Sequence, residues 1–387
     1  MTKNLRRPRW LTAVVGATLA LAVTGAPAVA GEPDGQTPPV ECQAGWCPET
    51  LPADPLPLGI SELAAVHGGE TWAVGHARGS APLALRWDGR SWQATTPPKA
   101  EQVDLNGVAG WSKNDVWAVG TRGDLSTGTH THVQHWDGRE WTVVPSPSPS
   151  PGPAVSRDQL HAVAVAGPHD VWAVGEIDNL GPGNRPLLLH WDGRAWSVVP
   201  TPLSDLPGAF RTVTVRSPHD VWVGALVGDD LRTRVPVTLR WDGRSWQRID
   251  VPDPDPASTI GMGADLNGQP LLVVSKTVGK YRDHSRVWHW TGTAWSRLSV
   301  PVVDGENLAL ASMTADRTGR VWLAGRTGGG AGMVVTWDGT RWTSTLLGFG
   351  GRGSVNGLAA SPSGKEVWAG GSFRAGGRGR GVIFAQR

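Results

Sequence analysis

The sequence predicts an all-β protein: a single β-propeller of seven four-stranded blades, with six blades as the alternative, its ring closed by an N-terminal strand. Three observations predict it. Two short tryptophan phrases alternate along the chain with a period of about fifty residues. Turn-forming residues, 52 Gly and 31 Pro, punctuate short apolar runs throughout. The 22 Trp stand beside only four Phe and one Tyr, which points to one bulky packing slot used again in every unit.

The first phrase is an apolar run around a Trp, usually V-W-A-V-G, at Trp72, Trp117, Trp172, Trp222, Trp322 and Trp368; a fifth copy has decayed to Leu272-Val273-Val274-Ser275. The second is W-D-G-x-x-W, starting at Trp87, Trp136, Trp191, Trp241 and Trp337, with a degenerate copy from Trp290 to Trp295. Each unit reads as four strands, a to d. In the third, strand a is 160–165 and the turn 167–170 leads to strand b, 171–174. A longer loop, 176–186, precedes strand c, 187–191. Asp192-Gly193 is a hairpin turn into strand d, 195–199. Strands a and b are apolar on both faces, as a sheet packed between two neighbours requires. Their small residues (Ala162, Ala164, Ala173, Gly175) suit blades converging on an axis. The last unit ends after strand c, so residues 40–52, with Trp46, are expected to supply the missing outer strand and remove the open sheet edge.

Residues 1–30 read as a signal peptide: Lys3, Arg6, Arg7 and Arg9, then the short apolar run 11–23, then Ala28-Val29-Ala30 before the expected cleavage. Residues 31–57 form an N-terminal segment, and 58–387 the propeller. No other stretch suits a membrane span. Without the leader the formal charge falls from +2 to −2, so nucleic acid is not an expected partner. Cys42 and Cys47 are expected to pair in an oxidising compartment, and the protein to be a secreted or wall-associated monomer.

The order of strands, with Trp-Asp at the end of strand c, is similar to that of the WD-repeat propellers. Turns such as Ser217-Pro218-His219-Asp220 resemble theirs, but the Gly-His dipeptide before strand a is absent. The resemblance implies architecture and not activity. Kelch-type copper oxidases need two tyrosine ligands, and this chain has only Tyr281.

The repeat tryptophans are expected to pack between blades, and the aspartates of the W-D-G turns to accept backbone N–H bonds. Specificity is expected where the repeat varies, on the b–c loop face. The candidate ligand-binding residues are His130 and His132 in blade 2; Asp178 and Arg185 in blade 3; Asp230, Arg232 and Arg234 in blade 4; Tyr281, Arg282 and His284 in blade 5; and Arg374 in blade 7. No catalytic residue, metal site or cofactor is assigned. The run from Ser146 to Pro151 reads as an exposed polyproline II connection. These features point to a non-catalytic exported propeller that binds a glycan, peptide or protein. The alternative is a hydrolase or lyase with a His/Asp/Arg site on the same face, in which at least two of the loop histidines and carboxylates would have to meet.

Overall fold

Each Trp-bearing apolar run forms the second strand of a four-stranded antiparallel sheet, paired on both edges and packed on both faces. In blade 3 this strand is Asp170–Ile177, buried at every position except its two ends. Seven such sheets make up the computed structural model, which describes residues 42–386 apart from 100–101, 125–127, 151–156, 178–182, 231, 253–254, 266, 279–281, 299–307, 349–351, 362–363, 365 and 376–377. The expected leader, residues 1–30, thus lies outside the described residues. Six sheets are built from consecutive strands. The seventh joins both ends of the chain, in the order Trp46–Pro48, Arg378–Gln386, Val367–Ala375, Gly353–Ala360. Trp46 pairs with Gln386 and Cys47 with Ala385, so the N-terminal strand closes the ring at blade 7. Cys42, just ahead of that strand, forms a disulfide with Cys47 inside it, Cα atoms 4.2 Å apart. Among the described residues no helix is long and apolar enough to cross a membrane.

The tryptophans occupy a repeated three-ring slot between blades. The strand-b Trp of one blade enters the pair formed by the last residue of strand c and the first of strand d in the next. Trp117 meets Trp191 and Trp196 with ring centroids 5.1 and 5.5 Å apart; Trp172 meets Trp241 and Trp246; Trp222 meets Trp290 and Trp295. Trp368 meets Trp87 and Trp92, and Trp322 meets Trp46 of the closing strand. Among the described tryptophans only Trp111 and Trp288 fall outside these slots. In blade 5 the slot belongs to Leu271, one residue before the decayed phrase read from the sequence. Leu271 pairs with His289 as Trp172 pairs with His190, and it shares a buried cluster with Trp337 and Trp342. Two adjacent leucines left that register ambiguous; the strand pairing resolves it.

The aspartates fall into two structural roles. Asp88 Oδ1 accepts the N–H groups of Arg90 and Ser91 at 2.8 and 2.9 Å, and the same bonds recur at Asp137, Asp192, Asp242 and Asp338. The following Gly takes a positive φ, 96° at Gly89, which a side chain disfavours. Aspartates opening strand b tie that strand's indole to strand c. Asp115 accepts Trp117 Nε1 at 3.1 Å and pairs with His135 Nε2 at 2.7 Å, while the His135 ring lies 4.3 Å from that of Trp117. Asp220 serves Trp222 and Arg240 in the same way.

The 146–151 connection is less free than the sequence suggests. Ser146, Pro147, Ser148 and Ser150 are half-buried. Asp158, which is fully buried, accepts from Ser148 Oγ at 2.7 Å and from the Ser150 N–H at 3.1 Å.

Candidate functional site

Strand a is the innermost strand of each blade, and there the repeat supplies its own comparison. Six strands share one frame: Ile60-Ser-Glu-Leu-Ala64, Leu105-Asn-Gly-Val-Ala109, Leu160-His-Ala-Val-Ala164, Phe210-Arg-Thr-Val-Thr214, Leu310-Ala-Ser-Met-Thr314 and Val355-Asn-Gly-Leu-Ala359. In all six the register with strand b slips by one residue at the second position of the frame, a β-bulge. The bulge residues Asn106 and Asn356 donate their amides to the Leu160 and Ile60 carbonyls of the next blade, both at 2.8 Å, stitching the axis together. The third position is kept small by crowding. A Cβ on Gly107 would sit 2.9 Å from Ala162 Cα, and one on Gly357 2.7 Å from the Leu63 nitrogen. Three residues depart from the pattern: His161 and Arg211 at the bulge, and Glu62 in the small position.

His161 and Arg211 meet Glu176, which comes from strand b of blade 3. Arg211 Nη1 donates to His161 Nε2 at 2.8 Å, and Arg211 Nη2 reaches Glu176 Oε2 at 3.4 Å. Gln159 Nε2 donates to Glu176 Oε1 at 2.6 Å, and His161 Nε2 lies 3.3 Å from the same oxygen. Glu176 is 2% exposed. Burial alone would raise its carboxyl; the hydrogen bonds and positive charge around it outweigh that and hold it at about 2. Burial, reinforced by the Arg211 charge, pushes the His161 imidazole below its usual value, so it is neutral near pH 7. Glu176 lies near the end of strand b and Arg211 near the start of strand a. The antiparallel order therefore places this trio toward the b–c face.

His161, Arg211 and Glu62 line an axial cavity of about 500 Å³. The rest of its wall is mostly small or hydroxylic (Thr212, Thr214, Ser312, Thr314), with apolar side chains such as Met262 and Met313 and one further carboxylate, Asp265. No Trp, Tyr or Phe ring is among the described lining residues, because the tryptophans are committed between blades. Burial pushes the Glu62 carboxyl up to about 8, against the opposing effect of its bond from the Leu63 N–H. The native state therefore holds the Glu62 proton more tightly than the unfolded chain does. This group's contribution to stability falls as pH rises from about 4.5 to about 8 and is flat beyond. Glu62→Gln is expected to match the parent near pH 4 and to exceed it above pH 8 by roughly 1–3 kcal/mol, less than the full shift because the side chain still faces cavity water. Urea midpoints measured from pH 4 to 9 check this.

The residues singled out from the sequence are dispersed. His130 and His132 lie within strand c of blade 2 (Gly128–Trp136), not in the loop before it, because that strand extends almost to its hairpin turn. His130 Nδ1 is 3.4 Å from Ser148 Oγ; His132 is 4% exposed, with Nε2 3.4 Å from Gln134 Oε1. Together with Arg122 they line a second cavity, of about 310 Å³, beneath the 146–148 connection. Arg185 is exposed at the start of strand c in blade 3. Asp230 and Arg232 are exposed and joined in a turn, Asp230 Oδ1 accepting the Arg232 N–H. Arg282 opens strand c of blade 5, where His284 is exposed; Arg374 is exposed on strand b of blade 7. Asp178 and Tyr281 lie outside the described residues. Among the described residues no ion pair joins His130, His132 or His284 to a carboxylate. Arg234 alone belongs with the axial trio. It is 3% exposed, its Nε donates to the Gly228 carbonyl at 3.1 Å, its Nη1 is buried without a partner, and its charge pushes against that of Arg211.

No protein-family model matches the chain, and no curated protein matches it. Solved structures do resemble it. The structure described as YCF48 bound to D1 peptide has a TM-score of 0.56 at 17% identity, covering 90% of this chain and 98% of that one. A puromycin hydrolase S511A mutant complexed with PGG gives 0.55 at 14% identity, over 81% of this chain and 50% of the other. The extracellular domain of the putative one component system BT4673 from B. thetaiotaomicron gives 0.54 at 13%, over 89% and 40%. At these identities the likeness is one of fold: the chain is a seven-bladed β-propeller, closed by its N-terminal strand.

Proposed function

We propose that this chain is an exported, non-catalytic propeller that binds a peptide, glycan or protein partner through its b–c face, at the mouth of the axial cavity. The observation that carries this reading is the charged group formed by Arg211, His161 and the buried Glu176, with the buried Arg234 acting on Arg211, set where six of the seven inner strands share one frame. A scaffold does not need such a group to be stable; replacing buried ion pairs by apolar residues is often neutral or stabilising. The disulfide and the leader-like N-terminus support export. A catalytic reading is less well supported: the His161 Nε2 lone pair accepts the Arg211 N–H, so it is not free to take a substrate proton. The test is a peptide and glycan array probed with the chain from Gly31 onward, alongside Arg211→Met. Binding that the substitution abolishes is the expected result; no binding by the parent to either array would end this reading.

A further inference from the structure

We infer that the b–c end of the axial cavity recognises a carboxylate carried by a peptide, Arg211 contacting it from the cavity wall and Arg234 adding positive charge from behind. This rests on the binding reading above and names the chemistry of its ligand. The charge count is the first ground. The Arg234 charge acts on Arg211, and among the described residues Glu176 is the one carboxylate doing so in the opposite sense. The oxygens of Glu176 are already engaged by Gln159 and Arg211. His161 is neutral and compensates nothing. A cation 3% exposed, with a buried nitrogen lacking any partner, is an arrangement that a folded chain tolerates at a cost. An incoming anion relieves it.

The second ground is access. The Arg211 side chain is 29% exposed, and its two described bonds leave three of its five N–H groups for a ligand. Arg234 Nη1 is sealed off, so Arg234 is a positioning residue: it acts through its charge and through Arg211. The cavity wall then favours peptide over saccharide. Sugars are commonly held by stacking on Trp, Tyr or Phe faces, and the described lining offers none of these. Met262 and Met313 instead supply adaptable apolar surface for varied side chains. A volume of about 500 Å³ accommodates a few residues of extended chain.

The experiment uses the chain from Gly31 onward and calorimetric titration with N-acetylated tetrapeptides of varied sequence. Each is made with a free C-terminus and as its amide, and a further set of amides carries Asp or Glu against matched Asn or Gln. The first comparison reports a terminal carboxylate, the second a side-chain one. Oligouronates form a third arm. Carboxylate-bearing peptides are expected to bind at least about tenfold more tightly than their neutral partners. Arg211→Met should erase that preference. Arg234→Met should weaken it strongly, whereas Arg234→Lys, which keeps the charge and loses the fork, should retain most of it. Without ligand, Arg234→Met should melt no lower than the parent; if it does melt lower, Arg234→Gln repeats the comparison, and a second loss marks Arg234 as structural and overturns its role. Equal binding of acids and amides, or binding of oligouronates alone, overturns the carboxylate-peptide assignment while leaving a binding propeller intact. No binding in any arm removes both.

Discussion

Trp222→Ala is expected to destabilise the protein by about 3–5 kcal/mol, the largest effect of any single truncation considered. Trp222 is fully buried, its ring centroid 4.9 Å from that of Trp290 and 5.6 Å from that of Trp295, and its indole N–H donates to Asp220 at 2.9 Å. The substitution removes the ring, leaves a cavity between blades 4 and 5, and strips Asp220 of a donor. Arg240, held by the same carboxylate and 5.4 Å from the Trp222 ring, loses its platform. Trp111 is the control. It lies outside the slots and is 44% exposed, so Trp111→Ala should stay within about 0.5 kcal/mol of the parent. Urea unfolding followed by circular dichroism measures both. Similar small losses in the two variants would show that the three-ring slot is not what holds neighbouring blades together.

Glu176→Gln is expected to cost about 2–4 kcal/mol at pH 7, because it leaves the half-buried Arg211 charge without its counter-ion and the buried Arg234 charge uncompensated beside it. The pH dependence separates this from a mere packing defect. The folded Glu176 carboxyl sits at about 2, below the usual 4.5, so the stability it contributes is fully present above about pH 4.5. It is lost as pH falls through about 2. The parent should therefore approach the variant in stability between pH 5 and pH 2, and the two should differ most at neutral pH. A difference unchanged by acid would mean that the carboxylate charge is not what stabilises the trio. The same variant removes the charge balancing Arg211, so an anionic ligand should stabilise it by a wider margin than it does the parent.

The architecture was legible in the sequence because it is periodic. One packing requirement, a strand-b ring entering a pair of rings on the next blade, repeats at nearly every interface and leaves the same phrase each time. Even the exception was visible: the missing outer strand of blade 7 pointed to Trp46, which pairs there and meets Trp322. The turn roles of Asp88 and its counterparts follow from local geometry, which short spacings reveal. The site was far less legible. The b–c loops vary most and so are expected to carry specificity, yet the described residues they offer stand apart on different blades. His161, Arg211 and Glu62 lie within largely apolar inner strands, where no loop or turn signal marks them. The available signal was a comparison of those six strands with one another, where Asn, Ser and Ala at the second position give way to His and Arg, and one Glu replaces a small residue at the third.

Sequence alone determined the seven-unit propeller, its closure by the N-terminal strand and the structural use of its tryptophans, because each depends on a pattern that recurs within about fifty residues. Only the tertiary structure decided that Glu176, His161 and Arg211 meet within reach of the Arg234 charge, that Leu271 fills the empty ring slot, and that Asp158 pins a connection that reads as free. Those outcomes depend on contacts between residues of different blades and on a one-residue bulge. Both are set by how the ring closes, and neither leaves a local mark in the order of residues.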